Sequence, residues 1–197
     1  MKDILKTGII LLIIAAVAAV ALGLTNEVTK DKIAEQRFLA NEQAKKAVLA
    51  TAATFEDITG EDLEAITSTF APVTEAYVGL DASGAVVGYV FKSTPNGFSG
   101  AVEVVTGIDG NGTVTGLRVG SHNETPGLGA KAKDAAFFDQ YNGKLTDGPI
   151  GVSKTAASGN DIQAITGATI TSVAVTSGAN ASIDAYKWIM ENGGIGK

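Results

Sequence analysis

Residues 8–24 read Gly-Ile-Ile-Leu-Leu-Ile-Ile-Ala-Ala-Val-Ala-Ala-Val-Ala-Leu-Gly-Leu, without one charged side chain. A continuous apolar run of this length has few ways to fold, because in an apolar surrounding only a helix pairs its own backbone N–H and C=O groups. At 1.5 Å per residue the run extends about 26 Å. Thr7 and Thr25 can complete a span of the ~30 Å hydrocarbon core of a bilayer. Residues 1–25 are therefore expected to form an N-terminal transmembrane anchor. A cleaved signal peptide is the rival reading, since Ala18-Ala19-Val20-Ala21 offers small residues at cleavage spacing. The run is long for the apolar core of a signal sequence, and helix-favouring sequence continues directly out of it. Lys2 and Lys6 precede the span, whereas Lys30, Lys32, Arg37, Lys45 and Lys46 follow it. An N-in, C-out orientation thus rests on the terminal position and the two leading lysines.

From Thr25 onward thirteen Lys and Arg stand against twenty Asp and Glu, once Lys2, Lys6 and Asp3 are set aside. An acidic domain of this kind is a poor nucleic-acid binder. There is no cysteine and a single histidine, His122. Disulfides, thiolate metal sites, Fe–S ligation and haem attachment are excluded together, so a redox role would fall to an organic cofactor.

Residues 26–53 contain no Gly or Pro and are rich in Glu, Gln, Lys and Ala. Val28, Ile33, Ala34, Phe38, Ala44 and Val48 approximate one helical face. This predicts a stalk helix, with a solvated linker as the alternative. Residues 57–70 read as a weak turn-and-helix region. Two segments then repeat at an offset of 28 residues, 77–91 and 105–119. Gly79/Gly107, Asp81/Asp109, Gly84/Gly112, Val86/Val114 and Gly88/Gly116 coincide. Asp-x-x-Gly between β-branched runs is turn chemistry: the Asp side chain caps the turn and the Gly takes a positive φ. The repeat predicts two hairpins of an antiparallel sheet, and the loops hold too few carboxylates for calcium. A glycine-bearing loop at 94–100 should lead into a strand from Ala101 to Val105. A short helical stretch is expected over 131–141. Val175, Ala179, Ile183, Tyr186 and Met190 set out a helix over 171–192, ended by Gly193 and Gly194. The fold class is α+β: one transmembrane helix, then a single domain of antiparallel sheet plus helices over 54–197.

Two clusters could carry chemistry. Thr166-Gly167-Ala168-Thr169 leads into the final helix, followed by Thr171 and Ser172. Free N–H groups and a partial positive charge at a helix start suit a phosphate. Gly167 and Ala168 keep the backbone uncrowded, and Thr171 and Ser172 can cap the helix without Thr169. On physics alone Thr169 is equally an ordinary helix-start threonine. The second cluster is Ser121-His122-Asn123-Glu124-Thr125-Pro126-Gly127-Leu128-Gly129. Its Pro and two Gly residues make a rigid turn with accessible backbone N–H groups. It could equally be a plain connecting loop. His122 beside Glu124 hints at an acid–base pair, but no Ser or Cys nucleophile motif accompanies them. Trp188 and Tyr186 read as core or interface aromatics.

Thr166-Gly-Ala-Thr-x-Thr171 resembles the flavinylation motif of the FMN-bearing subunits of the Rnf complex and of the related sodium-pumping NADH:quinone reductase. The loop from His122 to Gly129 is similar to the His-x-Glu-Thr-Pro-Gly-Leu-Gly signature of the same family. The resemblance implies one FMN per chain, joined through its phosphate to Thr169. Thr166, Gly167, Ala168 and Thr171 would surround the linkage, and Glu124, Thr125, Gly127 and Leu128 would form part of the flavin pocket. The family motif often carries Asp where Gln163 stands here, with Asp161 nearby. The implied protein is the G subunit of an ion-translocating ferredoxin:NAD oxidoreductase, its flavin domain on the extracytoplasmic face of the inner membrane. It would pass electrons between partner subunits that hold flavin and Fe–S centres, after maturation by a flavin transferase. The alternatives are the C subunit of the sodium-pumping NADH:quinone reductase, or a non-redox envelope protein that binds a ligand.

Overall fold

The computed structural model describes residues 2–195. The chain divides into two compact units, Met1–Asn41 and Glu42–Lys197. The described residues of the first all belong to helix α1 (Lys2–Val48). This helix is long and apolar enough to cross a membrane, and its apolar window is fully exposed. The stalk positions differ from expectation. Val28 and Phe38 are exposed, and only Val48, with Ala44 partly buried, joins a core. Helix α1 also stops at Val48 instead of continuing to residue 53, and residues 42–53, the end of α1 included, belong to the second unit. The Thr115 hydroxyl, distant in sequence, donates to the Val48 carbonyl, satisfying a helix-end acceptor that a further turn would have used.

The second unit is a five-stranded antiparallel sheet in the order β1 (Thr54–Asp57), β2 (Val73–Leu80), β3 (Val86–Ser93), β4 (Val104–Asp109), β5 (Val114–Val119). Helix α2 (Gly60–Thr69) connects β1 to β2 and buries Ile66. Both expected hairpins form, with matching turns. Asp81 Oδ1 accepts from the N–H of Ser83 (2.7 Å) and of Ala85 (3.0 Å), with Gly84 at φ +85°. Asp109 Oδ1 accepts from the N–H of Asn111 (2.9 Å) and of Thr113 (3.0 Å), with Gly112 at φ +77°. The strand expected from Ala101 begins later: Ala101 makes only a bridge to Asn96, and β4 starts at Val104.

The other repeated glycines have a separate task. Gly79 pairs with Gly88, and Gly107 with Gly116, across their hairpins. A Cβ on Gly79 would lie 2.5 Å from Leu49, one on Gly116 2.9 Å from the Val48 Cα, and one on Gly107 2.7 Å from the Val48 carbonyl carbon. The four glycines clear a trough on one sheet face, and the end of α1 fills it. Val48, Leu49 and Ala52 pack there on Tyr77, Val90 and Val105.

The opposite face carries the main core under helix α4 (Thr169–Glu191), whose Val175, Ala179, Ile183 and Tyr186 meet Tyr89, Phe91, Val104, Ile108 and Leu117. Trp188 is half-buried, edge-on to Phe70. Met190, expected on the same stripe, is 40 % exposed. The helix expected over 131–141 is broken into a 3-10 turn (Gly129–Lys133), the short α3 (Ala135–Phe138) and a second 3-10 turn (Asp139–Tyr141). Asp134 is extended between the first two, and the buried Ala132, Phe137 and Tyr141 are spaced by five and four. No continuous helix presents that spacing on one face. A two-residue parallel pair, β6 (Val152–Ser153) with β7 (Ile162–Gln163), then delivers the chain to α4.

Candidate cofactor site at the head of α4

The backbone turns sharply just before α4. The N–H of Ala168 donates to the carbonyl of Ile165 at 2.9 Å, and Gly167 holds φ +77° at the third turn position, where a side chain would strain the backbone. The helix starts at Thr169, two residues earlier than its apolar stripe suggests. Thr169 is therefore the first helical residue. Thr171 and Ser172 do not act as caps, and the N-cap Ala168 has no capping side chain. Ser172 closes the turn from inside: its hydroxyl accepts from the Ile165 N–H (2.9 Å) and donates to the Ala168 carbonyl (3.0 Å). The first-turn N–H groups of Thr169, Ile170 and Thr171 point out of the helix with no intrahelical acceptor.

The threonines of the cluster differ in environment. Thr166 and Gly167 are exposed, Ala168 is buried, and Thr169 is half-exposed. Thr169 lines an open groove of about 550 Å³ with Pro72, Pro95, Asn96, Ile170 and Val173. Thr171 is buried, and its hydroxyl donates to Glu124 Oε2 at 2.6 Å.

That bond brings the second cluster against the first. At 125–128 the N–H of Leu128 donates to the Thr125 carbonyl (3.1 Å), with Gly127 at φ +77°, so Pro126-Gly127 forms the rigid turn expected of them. Thr125, Gly127 and Leu128 are exposed, and Leu128 Cδ2 lies 3.1 Å from where a Cβ on Gly167 would stand. Glu124 behaves differently from a pocket-lining carboxylate: it is only 5 % exposed. Its Oε1 accepts from the Ser99 N–H at 2.9 Å and its Oε2 from Thr171. Gly97 and Gly129 leave the room it needs, since a Cβ on either would collide with a carboxylate oxygen. Burial alone would raise its pKa, but the donors from Ser99, Thr171 and Phe98 outweigh burial and hold it below the usual carboxylate range.

His122 Nδ1 accepts the Glu124 N–H (3.2 Å), which places the proton of the neutral ring on Nε2, a buried atom without a partner. Burial first, and the nearby Lys133 charge second, depress its pKa, with Glu124 opposing them. Gln163 is held by its backbone: Gln140 Oε1 accepts the Gln163 N–H (2.7 Å) and Gln140 Nε2 donates to the Gln163 carbonyl (3.2 Å), leaving the Gln163 side chain exposed. Asp161 lies against Gly151. Ser99, Gln140 and Ser172 thus join the site. Only Ser172 had a sequence signal, its place in the helix-start cluster.

The residues fit a phosphate-linked FMN. A half-exposed threonine sits on a helix N-terminus that favours an anion, and beside it are the exposed Gly167, without a side chain, and a groove within the size range of small-molecule sites.

Comparison with known proteins supports FMN as the ligand. Residues 97–184 match the FMN-binding domain family and residues 1–51 the RnfG N-terminal region. The chain is 45 % identical to the G subunit of the Na(+)-translocating ferredoxin:NAD(+) oxidoreductase complex of Acetobacterium woodii, over 94 % of this chain and 93 % of that one. It is 35 % identical to the G subunit of the ion-translocating oxidoreductase complex of Methanosarcina acetivorans, over 93 % and 94 %. Among solved structures the fold resembles NqrC of Shewanella oneidensis, with TM-score 0.53 and 18 % identity over 59 % of this chain and 61 % of that one. It also resembles the C subunit of the Na(+)-translocating NADH-quinone reductase of Parabacteroides distasonis, with TM-score 0.52 and 23 % identity over 67 % and 71 %. The NADH-quinone reductase subunits thus share the fold, while identity along almost the whole length lies with the other branch: the chain belongs to the G-subunit family of Rnf-type ion-translocating oxidoreductase complexes and carries that family's FMN-binding domain.

Proposed function

We propose that this chain is the subunit of a membrane-bound, ion-translocating ferredoxin:NAD oxidoreductase that carries electrons on one FMN, attached through its phosphate to Oγ1 of Thr169. The observation that carries the choice of acceptor is the contrast between the two helix-start threonines: Thr171 is buried with its proton given to Glu124, whereas Thr169 is half-exposed beside an open groove. The linkage would form when Thr169 Oγ1 takes the FMN phosphoryl group from an activated FMN anhydride: the anhydride P–O bond breaks, its other half leaves as the phosphate-bearing group, and the threonine proton passes to water. The free N–H groups of the first turn would stabilise the remaining phosphate charge, by about 0.3–1 kcal/mol and up to ~2 in a partly buried geometry. Bound there, FMN supplies the electron-accepting and electron-donating chemistry that no side chain of this cysteine-free chain offers.

Leu128, which lies beside Gly167, and the exposed Thr125 of the same turn would contact the flavin, with Gly167 adding no side chain in the way of the phosphate. The chain works within a multi-subunit complex: α1 holds it in the inner membrane with the N-terminus in the cytoplasm, and the flavin domain works outside among partner subunits with flavin and Fe–S centres. The tether keeps the flavin at high effective concentration beside those partners. A flavin transferase installs it.

The test is intact-mass analysis with in-gel fluorescence after co-production with a flavin transferase. The parent should gain one FMN phosphodiester and keep its fluorescence through denaturation, and Thr169→Ala should lose both. Retention of the mass by Thr169→Ala, with loss in Thr171→Ala, would move the acceptor to Thr171 and end this reading.

A further inference from the structure

Glu124 lies in the loop expected to contact the flavin, yet its carboxylate is spent inside the protein. We propose that Glu124 is a positioning residue, a buried strut that ties the 94–100 loop and its own 121–129 loop to the first turn of α4 and so sets the walls around Thr169.

The geometry is specific. One oxygen takes the Ser99 N–H and the other the Thr171 hydroxyl, so a single side chain spans two segments separated in sequence by more than seventy residues. Gly97 on one side and Gly129 on the other leave a slot the width of the carboxylate, and a methyl group on either would push it out. The His122 ring fixes the backbone of Glu124 itself through its N–H. Each loop tied in this way exposes one large apolar side chain, Phe98 at 68 % and Leu128 at 43 %, and Leu128 reaches Gly167. Cutting the strut frees both loops from the helix head while leaving the Thr169 hydroxyl untouched. What matters is hydrogen-bond geometry and not charge. A glutamine can still accept from Ser99 through its carbonyl and donate from its amide to the Thr171 oxygen, the hydroxyl turning from donor to acceptor.

Two measurements on the full-length chain in detergent decide it. Hydrogen exchange on the flavin-free protein reads the strut alone. Glu124→Ala should speed exchange at residues 97–101 and 125–131 on the order of tenfold, the factor that loss of a buried hydrogen bond implies. Glu124→Gln should stay close to the parent, and Thr171→Val, which removes one of the two bonds, should fall between. On the flavinylated protein, and resting on the reading of Thr169 given above, Glu124→Ala should retain the covalent flavin but raise its iodide-quenching constant at least about threefold, with Glu124→Gln restoring protection.

Unchanged exchange in Glu124→Ala, or Glu124→Gln behaving like Glu124→Ala, overturns the strut. If Glu124→Ala does not fold, exchange in Thr171→Val and Glu124→Gln decides between the same two outcomes. Accelerated exchange with unchanged quenching overturns its bearing on the flavin. A parent that acquires no covalent flavin refutes the proposed function instead, and the exchange data still decide the strut.

Discussion

Gly107→Ala is the sharpest test of how this domain is built. The added methyl would stand 2.7 Å from the carbonyl carbon of Val48 and 3.0 Å from Thr115 Oγ1, where ordinary contact begins near 3.4 Å. The obstacle is backbone at the end of α1, not a side chain that can swing aside, so Val48 must lift from the sheet. Overpacking of this kind costs about 1–3 kcal/mol. Loosening the bond from the Thr115 hydroxyl to the Val48 carbonyl adds about 1 kcal/mol. Lower entropy of the unfolded alanine chain returns about 0.4–1 kcal/mol. The net loss is about 1–3.5 kcal/mol, which for a domain of this size lowers Tm by roughly 2–14 °C. The assay is thermal unfolding of the full chain in detergent, followed by near-UV circular dichroism and fluorescence of Trp188, half-buried against Phe70. Gly148→Ala is the control: nothing lies within 4 Å of its Cβ position and its φ is not left-handed, so it should melt with the parent or slightly above it. If Gly107→Ala melts with that control, the trough is not a constraint and the matched glycines need another explanation.

Two further outcomes follow from the site and the anchor. The folded state resists protonating His122, so below its ordinary pKa of about 6.5 the unfolded chain binds the extra proton. Stability from this group is complete above that value and declines as pH falls beneath it. Urea midpoints between about pH 8 and pH 5 should show the decline in the parent and lose that component in His122→Asn; parallel curves for the two proteins would refute it. A periplasmic-type reporter fused after Lys197 should be active and a cytoplasmic-type reporter silent, while a mature chain beginning near Thr25 would replace the anchor with a cleaved signal peptide.

The features readable from sequence were those set by neighbours along the chain. The apolar run fixed a helix, and each Asp-x-x-Gly fixed its turn because donors and acceptor lie within four residues of one another. The stripe of α4 was visible in the spacing of Val175, Ala179, Ile183 and Tyr186. What the sequence concealed depends on distant partners. The coincidence of Gly79, Gly88, Gly107 and Gly116 looked like hairpin repetition, but it exists to seat Val48 and Leu49, at least thirty residues upstream. Glu124 looked like a ligand because nothing local shows that Thr171, 47 residues on, and Ser99 claim its oxygens. The stretch at 131–141 looked helical by composition, yet the core reads Ala132, Phe137 and Tyr141 at a spacing that forces it to restart.

The seat of Val48 and Leu49 also decides where this protein can be divided. A soluble fragment cut at residue 54, where the sheet begins, would leave four facing glycines over an open furrow and strip the inner layer from Tyr77, Val90 and Val105. Two fully buried aliphatic side chains are worth roughly 3–6 kcal/mol together, a large share of the ~5–15 kcal/mol by which a domain of ordinary stability stays folded. Residues 42–53 are therefore an inner part of the FMN-binding domain, and a fragment that keeps this layer must begin no later than Glu42.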